Sequence, residues 1–190
     1  MTEGSEVELA DDNVRRQLVQ AIHDSPTMLV LAVAGGGNAV ITDLLDVPGA
    51  SRTVLEMRVP YAATAMADLL ALDDDEPWGD SEPEVGAVST STAQTMAEAC
   101  LERAHQLSPD HHDVIGVACT AALVTDRTKK GDHRAHIAIA RGSSRHHNGP
   151  PMEVVQQKIE LEKGQRDRTG EDRVVADAIL SQIAAAITPT

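Results

Sequence analysis

Aromatic side chains are almost absent from this chain of 190 residues, which has no Phe, one Trp and one Tyr. Its core must therefore consist of Ala, Val, Leu, Ile and Met, a composition that suits helices packed closely on a sheet. Proteins that read nucleic acids stack bases on aromatic rings and bind the phosphate backbone with clustered Lys and Arg. Because the formal net charge is −14, the sequence also argues against nucleic acid as a partner.

The sequence also lacks a disulfide framework, a zinc-binding pattern and long apolar runs. Cys100 and Cys119 stand apart in an expected helix and an expected strand, which fits a reducing compartment. His133 and His136 are expected on opposite faces of one strand, so they do not predict a metal site. No apolar run reaches the length of a membrane span, and no basic-then-apolar leader is recognisable. We therefore expect a cytoplasmic protein without membrane contact, cofactor or metal.

Negative charge is concentrated in one segment. Residues 73–84 carry seven acidic side chains and no basic one, which equals half of the net charge. Pro and Gly interrupt this run, so we expect a solvated, mobile loop there instead of a metal site. Residues 1–11 are polar and acidic and predict a flexible arm. Residues 12–190 are expected to form a single domain, with a second polar loop at 141–151.

Apolar periodicity predicts an alternation of helices and strands. Helices are expected at 12–23, 39–45, 62–72, about 89–107 and 172–187, and strands at 28–33, 53–59, 114–120, 135–140 and 154–161. The strand at 28–33 is a continuous apolar run, typical of a strand buried on both faces. This order predicts an α/β fold, a three-layer α/β/α sandwich around a mainly parallel or mixed sheet.

A glycine-rich turn follows the first apolar strand and precedes a helix. It consists of Gly35, Gly36, Gly37 and Asn38. Glycine lets the backbone approach an anion closely, and a helix N-terminus offers unpaired N–H groups. The turn matches neither the GxGxxG pattern nor a Walker loop. Two interpretations stay open: a turn that contacts phosphate or ribose, and a tight turn with a purely structural role.

A small basic cluster occurs in the segment 128–134. Its members are Lys129, Lys130, His133 and Arg134. In an otherwise acidic chain, this cluster predicts recognition of a small anion, and an exposed loop that binds nothing is the alternative. Because the carboxyl ends of parallel strands share one edge of a sheet, the cluster and the glycine turn are expected to flank one pocket.

The order of elements resembles the C-terminal domain of the CinA family, which includes nicotinamide mononucleotide deamidases. The resemblance covers residues 26–187 and is carried best by the segment 44–72, LLDVPGASRTVLEMRVPYAATAMADLLAL. The family has a similar TDVPGAS turn, followed by a strand, a Tyr and a helix. The segment 88–104 resembles a family helix with Val-Ser at its start and Met-Ala within it.

The resemblance implies where catalytic residues would stand. In the deamidases a Glu-Ser-Cys-Thr-Gly-Gly turn supplies the serine nucleophile, and a Tyr and a Lys assist it. Counted back from the DVPGAS turn, the serine position is Ala34, while the tyrosine and lysine positions are Tyr61 and Met66. Amide hydrolysis through a serine needs a hydroxyl and a base. The chain thus resembles a divergent branch, a pseudoenzyme without the family's catalytic Ser and Lys.

Three functions are consistent with the sequence. The first is a domain that binds a small phosphorylated ligand, such as nicotinamide mononucleotide, through the glycine turn, Tyr61, Thr120 and the basic cluster. The second is an active amidohydrolase with a relocated nucleophile or an activated water, for which Tyr61, Thr120, Asp132 and His133 are candidates. The third is a regulatory assembly domain, because the family resemblance implies a homodimer or another homo-oligomer and two helices carry Ala-rich faces.

Overall fold

The computed structural model describes residues 11–70, 87–110, 113–127, 131–143 and 151–187. The helices are α1 (Asp12–His23), α2 (Ala39–Asp46), α3 (Ala63–Leu70), α4 (Thr90–Leu107) and α5 (Arg168–Ile187). The strands are β1 (Met28–Ala34), β2 (Val54–Arg58), β3 (Val114–Ala122), β4 (His133–Arg141) and β5 (Glu153–Leu161). Outside the described residues lie the predicted loop at 73–84, most of the predicted arm, and 144–150 of the second predicted loop.

The five strands form one mixed sheet in the order β2-β1-β3-β4-β5. Strand β1 is parallel to both of its neighbours, whereas β4 is antiparallel to β3 and to β5. Helices α1, α2 and α5 cover one face, and α3 and α4 cover the other. This arrangement confirms the predicted α/β sandwich around a mixed sheet.

The side chains of β1 divide between the two apolar layers of the core. Leu31 and Val33 pack toward α5, while Ala32 and Ala34 pack toward α4, because successive side chains of a strand point to opposite faces. Small side chains let α4 approach the sheet closely. Its residues Ala93, Ala97 and Ala104 are all at most 1% exposed, so the Ala-rich face of α4 belongs to the core.

Helix α5 begins four residues earlier than the apolar pattern predicts, at Arg168 instead of Asp172. The additional turn contains no apolar side chain, which is why periodicity misses it. Asp167 supports this turn, because its carboxylate accepts the Gly170 N–H at 2.8 Å. As a result, Arg168, Glu171 and Asp172 all belong to the beginning of one helix.

Both cysteines are free and buried in the core. Burial raises the pKa of Cys100 to about 12 and also raises the pKa of Cys119, so neither thiol is a ready nucleophile. In the described ranges, no group of three His, Cys, Asp or Glu side chains is arranged to hold a metal ion. Among the helices of those ranges, none is long and apolar enough to cross a bilayer.

Candidate functional site

An open cavity of about 370 Å³ lies at the carboxyl end of β1, beside the start of α3. Gly35, Tyr61 and Thr120 contribute polar groups to its lining. The remaining lining is apolar and includes Ala34, Pro60, Ala63, Met66, Ala87 and Val88. A concave, mainly apolar site with a few polar groups is the usual form of a small-molecule site in proteins.

The cavity brings together four positions that the sequence analysis singles out. Ala34, the last residue of β1, is in register with Thr120 of β3, and Met66 faces them from α3. Ala34 is 9% exposed and Met66 is 4% exposed, whereas Tyr61 is 75% exposed. A methyl group and a thioether side chain thus occupy the two places where the CinA resemblance puts a serine and a lysine.

Thr120 is the hydroxyl that lies deepest in the cavity wall, since the residue is only 1% exposed. Its Oγ1 donates a hydrogen bond of 2.5 Å to the carbonyl oxygen of Ala87. The hydroxyl proton is therefore already engaged, and the oxygen is left to a ligand only as an acceptor. The same bond ties the segment that precedes α4 to β3.

The glycine turn is shaped by the surrounding backbone and by α5. Gly35 has a φ of +79°, and a Cβ added to it would lie 2.1 Å from the carbonyl oxygen of Ala121. Gly37 also has a φ of +79°, and a Cβ there would lie 2.7 Å from Ile179 Cδ1. Gly36 and Gly37 are buried, whereas Gly35 is partly exposed. The fold therefore needs these glycines whether or not a ligand binds, and phosphate contact by the turn stays a prediction.

The N-terminus of α2 is held by Asp172 of α5. Asp172 Oδ1 accepts from the backbone N of Asn38 at 3.1 Å and from its Nδ2 at 3.2 Å. Asp172 Oδ2 accepts from the backbone N of Ala39 at 3.0 Å. A carboxylate at this position satisfies the N–H groups that an anion would use at a helix N-terminus. A ligand phosphate at Asn38 would have to compete with it.

Two further residues from the first turn of α5 fix the same edge of the sheet. Arg168 donates from Nη2 to Gly35 O at 3.0 Å and from Nη1 to Val124 O at 3.1 Å. Glu171 is completely buried; its Oε2 accepts from Val124 N at 2.7 Å, and its Oε1 lies 2.6 Å from His133 Nδ1. Sequence reasoning missed this polar turn, which joins the glycine turn to the segment after β3.

The predicted basic cluster is divided between the two faces of the sheet. His133 is 6% exposed and faces α5, on the opposite side from Thr120 and the cavity. Arg134 faces α4, and its Nη2 donates to Val88 O at 3.3 Å. Val88 lines the cavity, so Arg134 contacts the cavity wall through this bond, although Arg134 itself is not a lining residue. Lys129 and Lys130 lie outside the described residues.

His136 is a neighbour of the cavity that the sequence analysis did not assign to the site. It lies opposite Thr120 in the register of β3 and β4, and its Nδ1 is 2.8 Å from Thr90 Oγ1. Burial, and then the charges of Arg134 and Lys158, lower the pKa of His136. Strand alternation puts Arg134 and His136 on one face of β4. This spacing is the signal in the sequence from which His136 could have been assigned to the site.

Comparison with known proteins identifies the fold. No protein-family model and no curated protein matches the chain. Among solved structures, the competence/damage-inducible protein CihA from Agrobacterium tumefaciens is similar at 21% identity over 94% of this chain and 97% of that chain, with a TM-score of 0.66. A CinA-superfamily protein from Enterobacter cloacae is similar at 12% identity over 99% of both chains, with a TM-score of 0.67. One from Escherichia coli has 17% identity over 94% and 92%, with a TM-score of 0.63.

Proposed function

We propose that this chain is a CinA-like domain that binds a small phosphorylated ligand, such as a pyridine nucleotide, and lacks serine amidohydrolase chemistry. The observation that carries the proposal is the cavity at the end of β1. Ala34 and Met66, which match the serine and lysine positions of the deamidases, line this one cavity together. The fold shared with CinA-superfamily structures supports that residue match.

The chemistry of these two side chains supports binding without hydrolysis. A serine amidohydrolase needs a hydroxyl that attacks the amide carbon and a base that takes the hydroxyl proton. The methyl group of Ala34 cannot attack, and the thioether of Met66 does not accept a proton at neutral pH. Of the three positions matched to catalytic residues of the deamidases, only Tyr61 carries the same residue type.

The polar and charged groups around the cavity support a phosphorylated ligand. The apolar wall formed by Ala34, Ala63 and Met66 suits the flat face of a base. Arg134 is bonded to Val88 of the cavity wall, and we assign its guanidinium to the ligand phosphate, since Arg binds phosphate oxygens through several N–H groups. Tyr61 is the exposed ring that we assign to the base or the ribose.

The alternative, an active amidohydrolase with a relocated nucleophile, has less support. The Thr120 hydroxyl donates its hydrogen bond to Ala87 O. His133 lies on the other face of the sheet, beside Glu171. These groups therefore do not form a nucleophile and base pair. Asp132 is exposed and is absent from the cavity lining.

Calorimetric titration with nicotinamide mononucleotide tests the binding. We expect a Kd in the millimolar range or below, which corresponds to a favourable binding free energy of at least about 4 kcal/mol. Replacement Arg134→Gln should weaken binding about tenfold, because it removes charge-assisted hydrogen bonds to phosphate. Arg127→Gln removes a positive charge from an exposed position and should leave the affinity unchanged. Absence of any binding at millimolar nucleotide would refute the proposal.

The proposed absence of serine amidohydrolase activity is tested by introducing the two missing catalytic side chains. The wild type should release no ammonia from nicotinamide mononucleotide, whereas the double variant Ala34→Ser, Met66→Lys should release it at a measurable rate. Because Met66 is 4% exposed, a lysine introduced there would have a lowered pKa and could take the serine proton. A coupled ammonia assay with both single variants as controls measures this. Release by the wild type would instead establish the alternative function.

Self-association is a further part of the proposal, because the CinA resemblance implies a homodimer. The Ala-rich face of α4 is buried against the sheet, so an interface would have to use other surfaces. Light scattering with and without nicotinamide mononucleotide measures the oligomeric state and its dependence on ligand.

A further inference from the structure

One wall of the cavity is a short segment that three side chains of the sheet hold in place. This wall segment comprises residues 87–90, of which Ala87 and Val88 line the cavity and Thr90 is the first residue of α4. Thr120 Oγ1 donates to Ala87 O at 2.5 Å, and Arg134 Nη2 donates to Val88 O at 3.3 Å. The third contact joins His136 Nδ1 and Thr90 Oγ1, which are 2.8 Å apart. The position of this wall therefore depends on side chains of β3 and β4.

The surroundings of His136 disfavour a positive charge on its ring. The residue is 6% exposed and lies two residues after Arg134 on the same face of β4. From β5, Lys158 is its register partner, and the Lys158 ammonium is paired with Glu160 at 2.6 Å. The first turn of α4 carries no acidic residue, and β3 presents the uncharged Thr120.

We propose that His136 is a positioning residue for the ligand cavity, which holds the wall segment against the sheet as a neutral ring and releases it on protonation. The expected effect on ligand affinity rests on the proposed function, whereas the expected effect on the wall segment does not. A cavity with a displaced wall would bind the ligand less tightly, so affinity should fall in mildly acidic solution.

Electrostatics explains why protonation would release the segment. A charged His136 would be a buried cation between Arg134 and Lys158, at the positive end of the α4 dipole. Its hydrogen-bond partner in the described part of the chain is the Thr90 hydroxyl, which cannot neutralise that charge. The charge is relieved when the ring reaches solvent or the start of α4 moves away, and both changes separate Thr90 from β4.

The sign of the pH dependence follows from the lowered pKa of His136. Burial is the largest cause, followed by the charges of Arg134 and Lys158. The packed state therefore takes up a proton less readily than the released state, in which the ring titrates near its ordinary pKa of about 6.5. The stability of the packed wall segment relative to the released state is therefore greatest above that pH. It is lost as the pH falls toward the lowered pKa.

Amide hydrogen exchange without ligand tests the structural part of the inference. The N–H groups of Thr92 and Ala93 bond to Ser89 within the start of α4, so their protection reports on the wall segment. After correction for intrinsic exchange, we expect their protection to fall about tenfold between pH 7.5 and pH 5, because the released state binds the proton more tightly than the packed state. Amides in the middle of β3 should lose less protection.

The variant His136→Asn removes the titration and keeps a polar contact. Its amide stands at about the position of Nδ1, so the bond to Thr90 can persist, and the pH response should disappear. His23→Asn is the matched control, because His23 is a buried histidine whose Nδ1 lies 3.0 Å from Thr53 Oγ1. Burial lowers the pKa of His23 as well, yet this residue does not contact the wall segment. The control variant should keep the pH response of Thr92 and Ala93.

The ligand arm compares wild type and His136→Asn between pH 7.5 and pH 5.5. Nicotinamide riboside is used beside nicotinamide mononucleotide, because a phosphate monoester has its own second pKa of about 6. We expect affinity of the wild type to fall several-fold more than that of the variant for both compounds. If neither compound binds at any pH, the proposed function fails while the exchange result still decides the role of His136.

Direct titration of the His136 ring by nuclear magnetic resonance completes the test. In the wild type, the change in amide protection of Thr92 and Ala93 should have the same pH midpoint as the protonation of the His136 ring. A different midpoint, an unchanged response in His136→Asn, or the absence of a response down to pH 5 would each overturn the inference.

Discussion

Replacement of Glu171 by Ala is expected to lower the free energy of unfolding by about 3–5 kcal/mol, because it leaves two buried polar groups unsatisfied at about 1–3 kcal/mol each. Glu171 is fully buried, and its carboxylate is bonded to Val124 N and to His133 Nδ1 at 2.7 Å and 2.6 Å. The variant leaves a backbone N–H and an imidazole without their partner in a place that excludes water. Urea denaturation followed by circular dichroism measures the change.

The variant Glu171→Gln is the matched control. Its side-chain oxygen can still accept the Val124 N–H, so the expected cost is about 1–2 kcal/mol, that of an altered hydrogen bond. If Glu171→Ala costs no more than Glu171→Gln, the carboxylate does not organise this edge of the sheet. The Ala variant should also weaken nucleotide binding, because the same turn of α5 holds Gly35 through Arg168.

Replacement of Gly116 by Ala is the second change with a large expected effect, a destabilisation of about 3 kcal/mol or more. A Cβ on Gly116 would lie 2.1 Å from Ala97 O and 2.2 Å from Leu101 N. Both atoms belong to the backbone of α4, so a side-chain rotation cannot relieve the overlap. The whole helix must shift, and the cavity wall at its start shifts with it.

Gly131→Ala is the control for this prediction. The nearest atom to a Cβ at Gly131 is Arg134 Nη1 at 4.0 Å, which is ordinary contact. We expect a change in the free energy of unfolding within about 0.5 kcal/mol. Equal effects of the two substitutions would contradict the close approach of α4 to β3.

Local patterns in the sequence predict most of the secondary structure, and the family resemblance singles out three residues that line the cavity. The periodicity of apolar residues predicts α1 with both of its ends, and the apolar run at 28–33 predicts the doubly buried β1. The resemblance to the CinA family places Ala34, Tyr61 and Met66 in one site, and all three line the cavity. These features depend on residues that are close in the chain or on a motif of known spacing.

Contacts between distant parts of the chain could not be predicted in the same way. The local sequence makes the glycine turn a potential anion site, yet the N–H groups at its end bond to Asp172, which is 134 residues after Asn38. The first turn of α5 gives no apolar signal, so its role in joining the turn to Val124 is invisible in one sequence. The role proposed for His136 likewise depends on the packing of the start of α4 against β4, where Thr90 meets the imidazole.

The most direct test of the central claim is a methyl resonance titration with nicotinamide mononucleotide, using protein labelled at Ala and Met methyl groups. We expect saturable shifts at Ala34, Ala63 and Met66, with the Kd found by calorimetry, while methyl groups of the α5 face stay unchanged. Shifts that do not saturate at millimolar nucleotide, or that occur only outside the cavity at the end of β1, would contradict the account.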